Sequence, residues 1–269
     1  MTSTIEYTHW RVTASRSSSS TASVTDARRG ARCRSCSTRA ATTSTSSTCP
    51  VTAPPRSRRS RAGYSMGSHA EQFERLFGEL GIERPHVVGN SLGGAMVLEM
   101  AHRGIVRSAT ALSPAGFFPV LHLPNVAANL LFMKGGSHLP EALHRKLNGF
   151  EWFRKLAFRS LYTHPEKVSV EDAVGDTLNL RRAKGFWPHF FGATFLRTTK
   201  HVIVPTTIGW GDTDRLLLPS EAKVARERLP EATHVSLPDC GHCPQIDHPE
   251  LVVDLVVATM ERAADATAV

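Results

Sequence analysis

The chain has 269 residues and a formal net charge of +8, which is long enough for one domain with a sizeable core. Its basic excess is concentrated: residues 15–62 hold ten arginines against one aspartate, and the remainder is close to neutral. A basic face for nucleic acid on the folded part is therefore not implied, and no run of about 18 apolar residues marks a membrane span.

Within residues 15–62, Ser, Thr and Arg fill 31 of 48 positions, leaving too few large apolar side chains to offset the ordering of the backbone. Residues 1–62 read as a low-complexity basic segment, either disordered or the product of a shifted reading frame or wrongly placed start. The folded unit is expected over 63–269. The N-terminus lacks the apolar stretch and cleavage context of a secretory signal, so a cytoplasmic location is expected. Of the five cysteines, three (Cys33, Cys36 and Cys49) lie in the coreless segment, which indicates no disulfide framework. Cys33 and Cys36 have the spacing of a metal or redox pair, but no second pair accompanies them.

Beyond residue 63 the pattern changes. Phe73, Leu76, Phe77 and Leu80 recur at helical spacing between a candidate N-cap at Ser68 and a stop at Gly81. Residues 86–89 form a short apolar strand after Pro85, and 93–103 a buried helix directly behind it. A further strand is expected over 108–113, closed by Pro114 and Gly116. Residues 117–195 carry helical stretches at 126–133, 139–161 and 169–180 and no convincing strand. Their aromatics, Phe150, Trp152, Phe158, Tyr162 and Trp187 among them, suit a helical cap over a pocket. Strands resume at 201–208 and 233–237. Asp247 is the candidate N-cap of a last helix, with Pro249 in its first turn and Leu251, Val252, Leu255 and Val256 facing inward.

Gly89-Asn90-Ser91-Leu92-Gly93 is a G-x-S-x-G sequence between the strand and the helix, extended by Gly94. A sharp turn there would expose the Ser91 hydroxyl, with glycines relieving collisions around it. The N–H of Leu92 and the start of the helix would favour negative charge developing beside the hydroxyl. In this motif the chain resembles the α/β-hydrolase family. The resemblance extends to Gly211-Asp212-Thr213-Asp214 after a strand, and to Asp239-Cys240-Gly241-His242-Cys243-Pro244 before the last helix.

The resemblance implies an α/β fold, a mostly parallel sheet flanked by helices with the cap inserted. It also implies a nucleophile at Ser91, an acid at Asp214 and a base at His242, with Leu92 donating to the oxyanion. Asp212 is the alternative acid, since one carboxylate orients the histidine while a neighbour caps the turn. No cofactor and no metal ligand set is expected, and Cys240 and Cys243 read as small pocket-wall residues. The partner is a small-molecule substrate, with neither nucleic acid nor membrane, and a homo-oligomer is open. A serine at this turn is unlike the haloalkane dehalogenase and epoxide hydrolase groups, which carry aspartate there. The expected activity is hydrolysis of a small ester, lactone or related carbonyl compound. The alternatives are carbon–carbon bond hydrolysis on the same fold, or a hydrolase-like binding protein without activity.

The chain departs from the family at its beginning. No His-Gly loop, which would bring the second oxyanion donor, and no apolar strand series precedes Gly63, so the sheet is expected to be incomplete on that side. Asn90, His86, Thr206, Trp210, His138, His144 and His189 are each open between site and structural roles, and Ser113 and Pro114 stand at the expected pocket rim.

Overall fold

The computed structural model describes residues 8–11, 43–46, 65–188 and 201–266. The chain divides into two compact units, 1–58 and 59–269. In the first, β1 (Thr8–Arg11) pairs antiparallel with β2 (Thr43–Ser46), Thr8 facing Ser46. This pair was not expected from so polar a segment; both strands carry β-branched threonine, which suits extended backbone. Cys33, Cys36, Cys49, His189 and the end of the expected cap (189–195) lie outside the described residues.

The second unit is built on four parallel strands, β3 (His86–Asn90), β4 (Ser108–Leu112), β5 (Thr206–Gly211) and β6 (Thr233–Leu237), side by side in that order. β4 and β5 are buried throughout, as central strands of a sheet covered on both faces must be. Alternation then divides the core. Ala109, Ala111, Ile208 and Trp210 join the cluster containing α2 (Leu92–Arg103), while Leu112 and Leu237 pack with Val252 and Leu255 of the last helix, α9 (Pro249–Asp265). The buried hydroxyls of Thr207 and Thr259 share a 2.5 Å hydrogen bond between β5 and α9. Among the described residues β3 is the edge strand on the side where the sequence lacks further strands, and its Val88 is 47% exposed.

Several local expectations are corrected. The first helix, α1 (Met66–Glu79), is capped by Ser65, whose Oγ accepts the N–H of Ser68, so Ser68 lies within the first turn and is not the cap. The strand expected over 201–208 begins only at Thr206, because Pro205 has no N–H for the ladder; its carbonyl still accepts from Ala109. The helix expected over 139–161 is two, α4 (Glu141–Asn148) and α5 (Glu151–Ala157), parted at Gly149, a poor helix former. Between β5 and β6 lies α7 (Glu221–Arg228), which sequence patterning did not single out. A short helix, α8 (Pro244–Asp247), precedes α9, and the N-cap position belongs to His248 rather than Asp247.

The cap runs through α3 (Leu123–Gly136), α4, α5 and α6 (Val170–Arg182). Phe158 and Tyr162 stack inside it with ring centroids 5.9 Å apart, beside Val168 and Ala173. Phe150 and Trp152 instead face solvent at 48% and 61% exposure, so the aromatics do not all turn inward. Buried Lys134 donates to the carbonyls of Leu180 and Arg181, closing the C-terminus of α6. None of the described helices is long and apolar enough to cross a membrane.

Candidate active site

β3 ends at Asn90 and α2 begins at Leu92, leaving Ser91 alone to make the turn, with φ 56° and ψ −116°. Such a backbone is costly for a residue with a Cβ and persists only where neighbours hold it. Here the Ser91 N–H donates to the Leu112 carbonyl at 2.9 Å, and the Ser91 carbonyl accepts from Ala95 and Ala115 at 3.1 and 3.0 Å. The flanking glycines make the turn sterically possible. A Cβ on Gly89 would sit 2.2 Å from the Gly93 carbonyl oxygen, and one on Gly94 would sit 2.9 Å from Pro114. Leu92 is the first residue of α2, so its N–H has no carbonyl four residues back within the helix to satisfy it.

This geometry carries a test. Gly89→Ala is expected to destabilise the protein by at least about 3 kcal/mol, because the opposing atoms are backbone and cannot rotate away. Gly93→Ala meets nothing within 4 Å and should change stability by less than about 1 kcal/mol. Urea unfolding of the two variants measures the contrast.

Asp214 and His242 meet across the ends of β5 and β6. His242 Nδ1 lies 2.9 Å from Asp214 Oδ2, and both residues are 2% exposed. A carboxylate oxygen only accepts, so Nδ1 donates, and in the neutral ring that tautomer puts the lone pair on Nε2. The other oxygen, Oδ1, accepts the N–H groups of Leu216 and Leu217 at 2.9 Å each, which locks the carboxylate in place. Asp212 is exposed, with its backbone N–H on the Leu237 carbonyl. Of the two acids weighed from sequence, Asp214 is the one that reaches the histidine.

Asn90 ties the serine turn to the histidine loop. Its Nδ2 donates to the His242 carbonyl at 2.8 Å and to the Leu112 carbonyl at 3.1 Å, and its Oδ1 accepts from Cys243 Sγ at 3.6 Å. Asp247, expected as a helix cap, serves the same loop: its carboxylate accepts from the N–H groups of Gly241, Thr163 and His164. The acid and histidine loops touch so closely that a Cβ on Gly211 would sit 2.2 Å from the Gly241 carbonyl oxygen. Sequence reading left the role of Asn90 open and missed Gly211 and Asp247 as supports; their only signal was adjacency to the motifs.

The cysteines fit a packing role. Burial, helped by Asp247, Asp212 and Asp239, pushes the Cys240 thiol up to about 12, and burial with Asp214 and Asp247 raises that of Cys243. Ser113 is fully buried with a positive φ of 40°, and its hydroxyl has no partner among the described residues. His86 stands at the opposite end of β3, bonded to Ser108, and burial beside Arg107 lowers its pKa. Thr206 bonds the Val204 carbonyl at the start of β5, and His144 is buried within α4.

The cap is tied to the acid loop from above. Asn125 Nδ2 donates to the carbonyls of Arg215 and Leu216, and His122 Nδ1 lies 2.9 Å from Glu221 Oε1. Burial raises the Glu221 carboxyl above its ordinary range, against the opposing pull of His122.

The profile of the alpha/beta hydrolase family matches residues 32–255, starting upstream of the boundary at residue 63. The chain is 27% identical over 199 residues to epoxide hydrolase EphH of Mycobacterium tuberculosis, covering 71% of this chain and 93% of that protein. It is also 27% identical over 185 residues to the 2-hydroxy-6-oxo-6-(2'-aminophenyl)hexa-2,4-dienoic acid hydrolase of Metapseudomonas resinovorans, covering 67% of this chain and 61% of that protein. Among solved structures it is similar in fold to a bacterial membrane phospholipase A, with a TM-score of 0.62 at 19% identity over 84% of this chain and 72% of that one. With its parallel sheet, flanking helices and strand–turn–helix at Ser91, the chain belongs to the alpha/beta hydrolase family.

Proposed function

We propose that the protein is a serine hydrolase of small esters, lactones or related carbonyl compounds. The observation that carries this reading is the buried 2.9 Å bond between His242 and Asp214, joined through Asn90 to the turn that bears Ser91. His242 Nε2 takes the proton of the Ser91 hydroxyl as its oxygen adds to the carbonyl carbon, and Asp214 supports the imidazolium that forms. The N–H of Leu92 donates to the oxyanion. Collapse of the tetrahedral species returns the proton from His242 to the leaving oxygen and leaves an acyl group on Ser91. Water, deprotonated by the same imidazole, then releases the acid and restores the serine.

The nucleophile's identity selects the substrate class. A carboxylate that opens an epoxide forms an ester, which water cleaves; a serine oxygen would form an ether, which this machinery cannot hydrolyse. Serine at position 91 therefore favours carbonyl substrates, although one relative is an epoxide hydrolase. The dienoic acid hydrolase relative favours a second reading, hydrolysis of a carbon–carbon bond beside a ketone, which the same residues could perform.

The test is a substrate panel with active-site labelling. Turnover of short aryl esters and covalent capture of a fluorophosphonate on the peptide containing Ser91 are expected. Turnover of a vinylogous dienol diketone alone would move the assignment to carbon–carbon hydrolysis. Absence of both labelling and turnover would support a binding protein that retains only the scaffold.

A further inference from the structure

Away from Ser91, three side chains from separate parts of the chain converge. His164 comes from the cap after α5, Asp239 from the turn after β6, and His248 from the N-cap of α9. Their ligand atoms all lie within 4.8 Å of one another. Asp239 Oδ2 is 2.7 Å from His164 Nε2 and 3.3 Å from His248 Nε2. The second nitrogen of His164, Nδ1, faces Glu166 Oε1 at 3.3 Å.

Two neutral imidazole nitrogens and a carboxylate oxygen each present a lone pair when turned toward one point, so their convergence calls for shared protons or a cation. A histidine whose other N–H is held by a carboxylate is the usual outer arrangement of a metal-bound imidazole, and Glu166 stands where it would hold His164 in that orientation. A tetrahedral zinc ion with bonds of about 2.0–2.2 Å holds its ligand atoms about 3.4 Å apart. The 3.3 Å pair already meets that spacing, and the 2.7 Å pair needs a movement of less than about 1 Å. The backbone of the site is braced, because Asp247 binds the His164 N–H together with that of Gly241.

We propose that His164, Asp239 and His248 bind a divalent first-row transition cation of the zinc class, leaving at least one position for water. Two imidazoles with one carboxylate suit zinc, cobalt or nickel better than magnesium or calcium, which take oxygen ligands. The ion clips the cap to the histidine loop three residues before His242. The sequence expectation of no metal followed from a serine mechanism that needs none and from cysteine spacings without a second ligand pair; His164 lies 75 residues from Asp239, too far for a spacing pattern to show the set.

The experiment uses the untagged full chain, freed of metal with a chelator and titrated with zinc chloride by calorimetry and with cobalt chloride by absorption. One saturable site with a cobalt spectrum free of thiolate charge transfer is expected. Loss of an outer partner costs about 10- to 100-fold in affinity, so Asp239→Asn and His164→Gln, which each replace a carboxylate or imidazole ligand with a weaker neutral amide, should weaken binding at least tenfold. Asparagine tolerates the positive φ of 55° at position 239, so that variant keeps the fold if His164→Gln does not. No saturable binding, equal affinity in the folded variants, or a thiolate band pointing to the cysteines would overturn the proposal.

Discussion

Ser91→Ala is expected to lower kcat/KM for an aryl ester by about 10⁶-fold, leaving only the residual catalysis that binding and the oxyanion donor supply, with the unfolding midpoint nearly unchanged. The elbow does not depend on the hydroxyl, since both backbone groups of Ser91 are bonded, to Leu112 on one side and to Ala95 and Ala115 on the other. His242→Ala should cost as much in rate, because the nucleophile and its base act as one unit. It should also cost stability, for Asp214 Oδ2 would lose its partner in a buried site while Oδ1 keeps its two N–H donors. Stopped-flow or continuous assays beside urea unfolding separate the two effects. Retained ester hydrolysis in Ser91→Ala would remove Ser91 as nucleophile.

Asp214→Asn should cost about 10⁴-fold in kcat, the size seen when the acid of a serine protease triad is amidated. The direction follows from the hydrogen bonds. The N–H groups of Leu216 and Leu217 can only donate, so they hold the amide oxygen at the Oδ1 position and turn the amide NH₂ toward His242. Nδ1 must then accept, which moves the imidazole proton to Nε2, where it can no longer take the serine proton. Asp212→Asn is the control: its side chain is exposed, and a change under about threefold is expected, since surface substitutions away from such networks have small effects. A large loss in Asp212→Asn with a small one in Asp214→Asn would reverse the assignment of the acid.

Much of the site was legible because short-range sterics write it. A serine between Gly89 and Gly93, with a strand before and a helix after, admits few backbone solutions, and the observed φ of 56° is one of them. The choice between Asp212 and Asp214 was open from the residues alone, since both lie in the same turn; it rests on which carboxylate the β5 loop carries inward toward His242. Element ends were misread where different residues share a local preference. Ser65 and Ser68 cap equally well by type, and Asp247 has the chemistry of an N-cap, yet it is spent on three N–H groups of the cap and histidine loop. Gly149 and Pro205 did carry signals, against one continuous helix and against an early strand start.

The sequence by itself determined the succession of strands and helices, the helical character of the insertion and the elbow, because apolar periodicity and glycine sterics act within a few residues of the chain; the parallel sheet was what the family resemblance implied. Only the tertiary structure decided which groups meet: Asn90 with the carbonyl of His242, Asp247 with the backbone of Thr163, and His164 with Asp239 and His248. Apart from Asp239 and His248, which are nine residues apart, those partners are separated by tens of residues or more. Their contact depends on how strands stack and loops return at one end of the sheet, and no local preference encodes that distance.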